Sequence, residues 1–353
     1  MRVLLVVAMA ALATAPAGDV AALPEGTRVQ TYLAGLNFPV DMAWQEGTRR
    51  VFFTEKNTGR VRIASGRQVL EEPCVDLDVE PSGERGALGI ALHPQFEENH
   101  FLYVYWTQKN PLENRVTRWR VDQNQCREPL LIIGGLKAAN NYHSGGQLEF
   151  MGGMLFVSTG DAHSPAMAQD TSSPMGKVLR LEPDGSIPEN NPFSLPGVPN
   201  PVWSYGHRNP FGLAHRHGTG QLFETENGPS CDDELNRIIE ARNYGWGPNY
   251  ECGTAGVGTN PKAPLVRWSD IIVPTDPWWY EGRMQSLSGA LFVGNYGTGK
   301  LRRFELNAQG TRVVDRRVVH DHDSGILDVS KGPRGWLYFL TNDSIERIVP
   351  VES

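Results

Sequence analysis

The chain has 353 residues, a formal net charge of -7, 38 glycines and 25 prolines. That length suits one large all-β domain or two ordinary ones, and the glycine and proline content favours many short strands joined by turns over a helical protein. Acids and bases are mixed along the chain, so no basic run marks a nucleic-acid groove and no acidic tail appears.

At the N-terminus, Arg2 precedes an apolar run over 3–13 and small residues over 15–22. This order predicts a secretory signal peptide over 1–22, ahead of a domain over 23–353. The run is short for a membrane span, and no later stretch is apolar enough to be one. A secreted or periplasmic protein is expected, with no membrane insertion after signal cleavage. Cys74, Cys126, Cys231 and Cys252 form no CxxC pair, which argues against zinc-ribbon or thioredoxin chemistry. Two disulfides in an oxidising compartment is the simplest account. Three pairings are possible. Cys74–Cys126 with Cys231–Cys252 is favoured because each bridge closes a local loop.

Along the chain, an apolar-aromatic-apolar strand recurs after a polar or glycine turn. Its copies centre on Phe52, Tyr103, Phe156, Phe223, Phe292 and Tyr338. Their spacing lies near the roughly 40–50 residues of a four-stranded propeller blade. Six copies predict an all-β, six-bladed β-propeller with long loops on one face. A β-sandwich would not explain a motif repeated at this period. One helical turn is expected over 232–240, where Asp232 and Asp233 would favour the positive helix end. Residues 161–201 and 251–285 read as loop insertions. The second holds Trp268, Trp278, Trp279 and Tyr280, which either pack onto the blades or form a platform for a sugar.

Four segments carry candidate chemistry. They are the stretch from Gly83 to Pro94 with Glu84, the turn around His143, the run Gly206-His207-Arg208-Asn209, and the acidic stretch from Glu226 to Asn236, with Tyr244 following. In a propeller, loops at one end of the central channel bring distant segments together. A histidine, an arginine and an asparagine beside carboxylates offer a base, a polariser and a cation site. Removing hydride from an alcohol or hemiacetal requires a base for the hydroxyl proton and an acceptor that side chains lack. Calcium suits the carboxylates and carbonyls over 228–234, since it takes oxygen ligands flexibly. The bland account of Asp232, Asp233 and Glu234 is helix capping and solvated charge.

The segments GALGIALHPQF, HSGGQLEF, MGKVLRLEPDGSIPENNPF, GHRNPFGLA and GPSCDDELN resemble those of soluble quinoprotein sugar dehydrogenases, the glucose/sorbosone dehydrogenase-like proteins. The resemblance runs from about Leu36 to Val349. It implies a six-bladed propeller that holds pyrroloquinoline quinone (PQQ) through calcium, oxidises a small-molecule sugar and passes electrons to a soluble acceptor. By position, His143 matches the family's general base. Arg208 matches the residue that polarises the quinone, and Asn209 lies beside it. Gly228 and Pro229 match carbonyl ligands of the cofactor's calcium. Glu234 and the Tyr244 carbonyl match ligands of a second, structural calcium, and Glu84 sits near the substrate.

Four positions depart from the pattern. Gly297 stands where the family carries a lysine, and Gly325 and Leu327 stand for two arginines. Tyr142 precedes the base where an acidic or polar residue is usual. The missing cations would pair with the quinone's carboxylates, and Lys300, Arg302 and Arg303 lie beyond the loop, so they are not expected to substitute. Three readings follow: a quinoprotein converting aldoses to lactones, a propeller of this family that binds a carbohydrate or protein partner without cofactor, and a calcium-dependent hydrolase.

Overall fold

The structure, a computed structural model, describes residues 21–138 and 140–351. The expected signal peptide lies outside the described residues, apart from Ala21 and Ala22. Six antiparallel sheets follow one another along the chain, each running outward from an inner strand. All six predicted motifs form the second strand of their blade: Arg50–Glu55, Phe101–Gln108, Met154–Thr159, Gln221–Glu226, Ala290–Asn295 and Leu337–Thr341. Second strands are covered on both faces by neighbouring blades, which is why several carry a continuous apolar or aromatic run, as in Val51–Phe53, Leu102–Trp106 and Leu155–Val157.

The ring closes by pairing distant ends of the chain. Thr27–Ala34 forms the outermost strand of the last blade, antiparallel to Ser344–Pro350. Buried carboxylates stitch inner strands together. Asp41 accepts the Ile90 N–H from the second blade, Asp328 accepts the Met42 N–H from the first, and the Leu213 N–H donates to Asp276. Each bond satisfies a donor that the widely spaced inner strands leave unpaired.

Two expectations require correction. Residues 232–240 do not turn into a helix. Asp233–Ile238 is the third strand of blade 4, with Glu226 opposite Glu234 and Glu224 opposite Asn236. Asp233 does not cap a helix. It accepts the N–H groups of Gly228, Ile272 and Val273, two of them distant in sequence. Residues 251–285 are not all loop, since they hold the strands Val266–Trp268 and Pro274–Tyr280, and of the two readings of their aromatics it is packing onto the blades that holds. Trp278, Trp279 and Tyr280 belong to the inner strand Pro274–Tyr280, and Trp279 and Tyr280 are buried in the blades. Trp268 packs edge-on against Phe304. The 161–201 insertion is divided by the strand Lys177–Leu181. Because antiparallel strands alternate direction, its two halves leave the sheet at opposite ends.

Both favoured disulfides are present, Cys74–Cys126 and Cys231–Cys252, spanning 52 and 21 residues. Loops of this length stabilise by about 3–4 kcal/mol each in the chain-entropy picture. Thiol counting on denatured, unreduced protein is expected to find no free thiol, and a count of four would overturn both bridges. Among the described residues, no helix is long and apolar enough to cross a membrane.

Candidate active site

His143 sits on the loop entering the inner strand Gly145–Met151, with φ 57°. A left-handed conformation at a non-glycine residue is costly and needs support from its surroundings. That support is Glu84, whose Oε2 accepts the N–H groups of His143 at 2.7 Å and Ser144 at 3.3 Å. The same oxygen accepts Asn209 Nδ2 at 3.1 Å, and Asn209 Oδ1 accepts the Gly145 N–H. Three distant segments are thus joined by one carboxylate.

The His143 imidazole is buried and its Nδ1 lies 2.6 Å from Asp161 Oδ1. Asp161 is itself fully buried, and its other oxygen accepts Trp246 Nε1 at 2.8 Å. A carboxylate at Nδ1 holds the proton there and leaves the lone pair on Nε2. The His163 ring lies 4.2 Å from that of His143, and Tyr142, mostly exposed, lies against His163.

Arg208 is fixed from two sides. Its Nη1 donates to the carbonyls of Asn227 and Gly228, each at 2.8 Å, and its guanidinium lies 5.3 Å from the Trp246 ring centre. Burial lowers its pKa, while the negative fields of Asp161 and Glu226 oppose that shift. The backbone N–H groups of Arg208 and Asn209 both donate to Glu226 Oε1.

Glu84, His143, Arg208, Asn209, Gly228 and Pro229 all line one cavity of about 630 Å³. Glu234 and Tyr244 do not reach it. With Gly228 and Pro229 they line a neighbouring space of about 20 Å³. Burial, then the charge of Glu226, pushes the Glu234 carboxyl up to about 8, against Asn236 and Arg267. Asp233, at the wall of the larger cavity, is raised by burial against its three N–H donors.

Of the substituted clamp positions, Leu327 lines the large cavity beside Tyr296. Arg302 donates to Asn295, Arg303 is buried against Glu305, and neither lines this cavity. Sequence reasoning missed Lys56, which lines the cavity from the first blade while its Nζ donates to Asn57 and the Pro81 carbonyl. Burial lowers its pKa, opposed by Glu84. It follows a strand end and carries no local signature. Asp161 shows in the sequence only as the first residue of the 161–201 insertion, following Gly160. Lys177 lies in the MGKVLRL stretch that carries the resemblance, with no sign there of its own contacts. It is fully buried, and its ammonium donates to the carbonyls of Met167, Ala168 and Met175, holding the loop beyond Asp161.

The family model described as Glucose / Sorbosone dehydrogenase matches residues 36–349. Quinoprotein glucose dehydrogenase B of Acinetobacter calcoaceticus is 34% identical over 251 residues, which cover 62% of this chain and 51% of that protein. Aldose sugar dehydrogenase YliI of Escherichia coli (strain K12) is 28% identical over 353 residues, 94% of each chain. The PQQ-bound structure of aldose sugar dehydrogenase from Streptomyces coelicolor superposes with a TM-score of 0.80 at 29% identity, covering 93% of this chain and 99% of that one.

Proposed function

Because the chain belongs to the glucose/sorbosone dehydrogenase family, we propose that it is an exported oxidoreductase that converts aldose sugars to lactones, using PQQ and calcium in the His143–Arg208 cavity. The observation that carries this reading is the buried His143–Asp161 pair at the wall of a cavity that also presents Arg208. The wall fits an anionic, hydrogen-bonding ligand. Arg208 Nε and Asn227 Oδ1 are buried without a protein partner among the described residues, and Lys56 adds a second cation.

In this reading, His143 Nε2 takes the proton of the sugar's anomeric hydroxyl, and Asp161 stabilises the imidazolium that forms. Arg208 sets positive charge where negative charge develops on the acceptor. Asn209 and Glu84 hold the turn on which the base is mounted. PQQ, when bound, supplies the two-electron acceptor that no side chain provides. The carbonyls of Gly228 and Pro229 would hold its calcium, and Glu234 with the Tyr244 carbonyl a second, structural one. Two disulfides support export, and a soluble acceptor would take the electrons onward.

The cofactor-free reading draws on Leu327, which presents an apolar side chain where the resemblance implies an arginine. Titration of the purified apoprotein with PQQ and calcium, followed by absorbance and calorimetry, separates the two. Saturable one-to-one uptake that requires calcium is expected. No uptake at any calcium concentration would leave the binding-protein reading. A calcium chelator is also expected to lower the melting temperature, and added calcium to restore it, because an ion bound only by the native state stabilises it by mass action. An unchanged transition at saturating chelator would count against a structural ion.

A further inference from the structure

Blade 4 carries an unusual set of buried groups on the face opposite Phe223. Strand alternation puts Phe223 against Trp279 of blade 5, so Glu224 and Glu226 face the other way, where His207 arrives at the end of blade 3. Glu224, His207 and Asn236 are fully buried, and Glu226 nearly so. Neither carboxylate oxygen of Glu224 has a hydrogen-bond partner among the described residues, and nor does Asn236 Oδ1. Asn236 stands directly opposite Glu224 in the strand register. The nearby arginines serve other groups: Arg208 the Asn227 and Gly228 carbonyls, Arg267 the Glu234 carboxylate. A buried carboxylate without donors is strongly unfavourable unless a proton or a cation joins it.

The geometry favours a cation. Ligand atoms of His207, Glu224 and Glu226 all lie within 4.8 Å of one another. His207 Nδ1 is 3.2 Å from Glu226 Oε2 and 3.8 Å from Glu224 Oε1. Ligands held roughly 2.0–2.2 Å from one ion stand about 3–3.6 Å apart, close to these separations. The far nitrogen of His207, Nε2, lies 2.9 Å from Ser204 Oγ. A proton on Nε2 leaves the Nδ1 lone pair for a metal, and such an outer partner is the usual support of a metal-bound imidazole.

We propose that His207, Glu224 and Glu226, with Asn236 Oδ1 alongside, form a site for a divalent first-row metal of the zinc class, separate from the calcium ligands at Gly228 and Pro229 and adjoining Glu234, whose Oε2 accepts Asn236 Nδ2. An imidazole nitrogen and few oxygens suit such a metal, whereas calcium takes six to eight oxygens. The site would also brace the cavity. Glu226 faces it with Oε2, while Oε1 holds the backbone N–H groups of Arg208 and Asn209. The inference does not depend on whether the cavity takes a quinone.

The test uses the mature protein, stripped with a strong chelator and saturated with calcium. Zinc titration by calorimetry is expected to show one tight site per chain, with a rise in melting temperature that calcium does not reproduce. Glu224→Gln keeps shape and removes charge, and it should weaken that site by more than about tenfold, since even outer-shell changes cost that much. Cobalt supplies a readout that needs no variant: the wild type should develop the intense visible bands of a low-coordinate, histidine-bound ion. Zinc uptake unchanged in folded Glu224→Gln would overturn the site, as would a cobalt spectrum no different from that of the hydrated ion. The pocket would then hold a proton on Glu224 in place of a metal.

Discussion

His143→Ala is expected to lower turnover by about 10²–10⁴-fold while leaving PQQ titration close to that of the wild type. The expectation rests on a division of labour visible in the cavity. His143 is tied to Asp161 at 2.6 Å, the arrangement of a base whose tautomer is fixed, whereas the cations that would hold an anionic cofactor are Arg208 and Lys56. Asp161→Asn should lose a comparable amount. An amide can no longer stabilise the imidazolium, and it can turn its own N–H toward Nδ1 and reverse the tautomer. The two variants should differ in pH behaviour. Any residual activity of His143→Ala should lose the histidine limb of the rate profile, while Asp161→Asn should retain that limb at a shifted position. His143 has φ 57°, so alanine there is strained as well, and the melting temperature is to be compared first. Turnover that survives His143→Ala would remove the base assignment. Equal loss of quinone binding and turnover would make His143 an anchor.

What could be read from the sequence follows from the range of each interaction. The six blade motifs were legible because a strand buried on both faces writes its burial into consecutive residues. Ring closure by Thr27–Ala34 was not legible, since its partner Ser344–Pro350 lies at the other end of the chain. The 232–240 error has the same origin. Adjacent acids resemble a helix start locally, and only the folded chain shows that the N–H groups of Ile272 and Val273 satisfy Asp233. At the site, motif order was enough to place Glu84, His143, Arg208 and Asn209 at one cavity. It was not enough for Lys56, whose role depends on where the first blade points its strand end.

Lys56→Met is expected to weaken PQQ binding by about 10–100-fold, the equivalent of one hydrogen bond to a charged group. By contrast, refitting the family's cations by Gly297→Lys, Gly325→Arg and Leu327→Arg is expected to cost stability without tightening the site. Sequence alone suggests that restored cations would help, since each adds charge near a carboxylate. The walls oppose this. A Cβ at Gly325 would lie 2.6 Å from the Tyr296 carbonyl oxygen, and one at Gly297 would lie 3.0 Å from that of Ile272. Leu327 is 4% exposed and packs in a core cluster with Val40 and Leu88, so an arginine there would bring its charge through an apolar wall. Tyr296 thus occupies room that an arginine at 325 would need, while Lys56 lines the cavity from the first blade. Binding by Lys56→Met as tight as wild type would show that Arg208 and calcium suffice. A triple variant that folds normally and binds more tightly would show that Tyr296 yields and that the substituted clamp was the weak point. In the expected case, the two changes act in opposite senses on different quantities: Lys56→Met lowers affinity at unchanged melting temperature, and the triple variant lowers the melting temperature first.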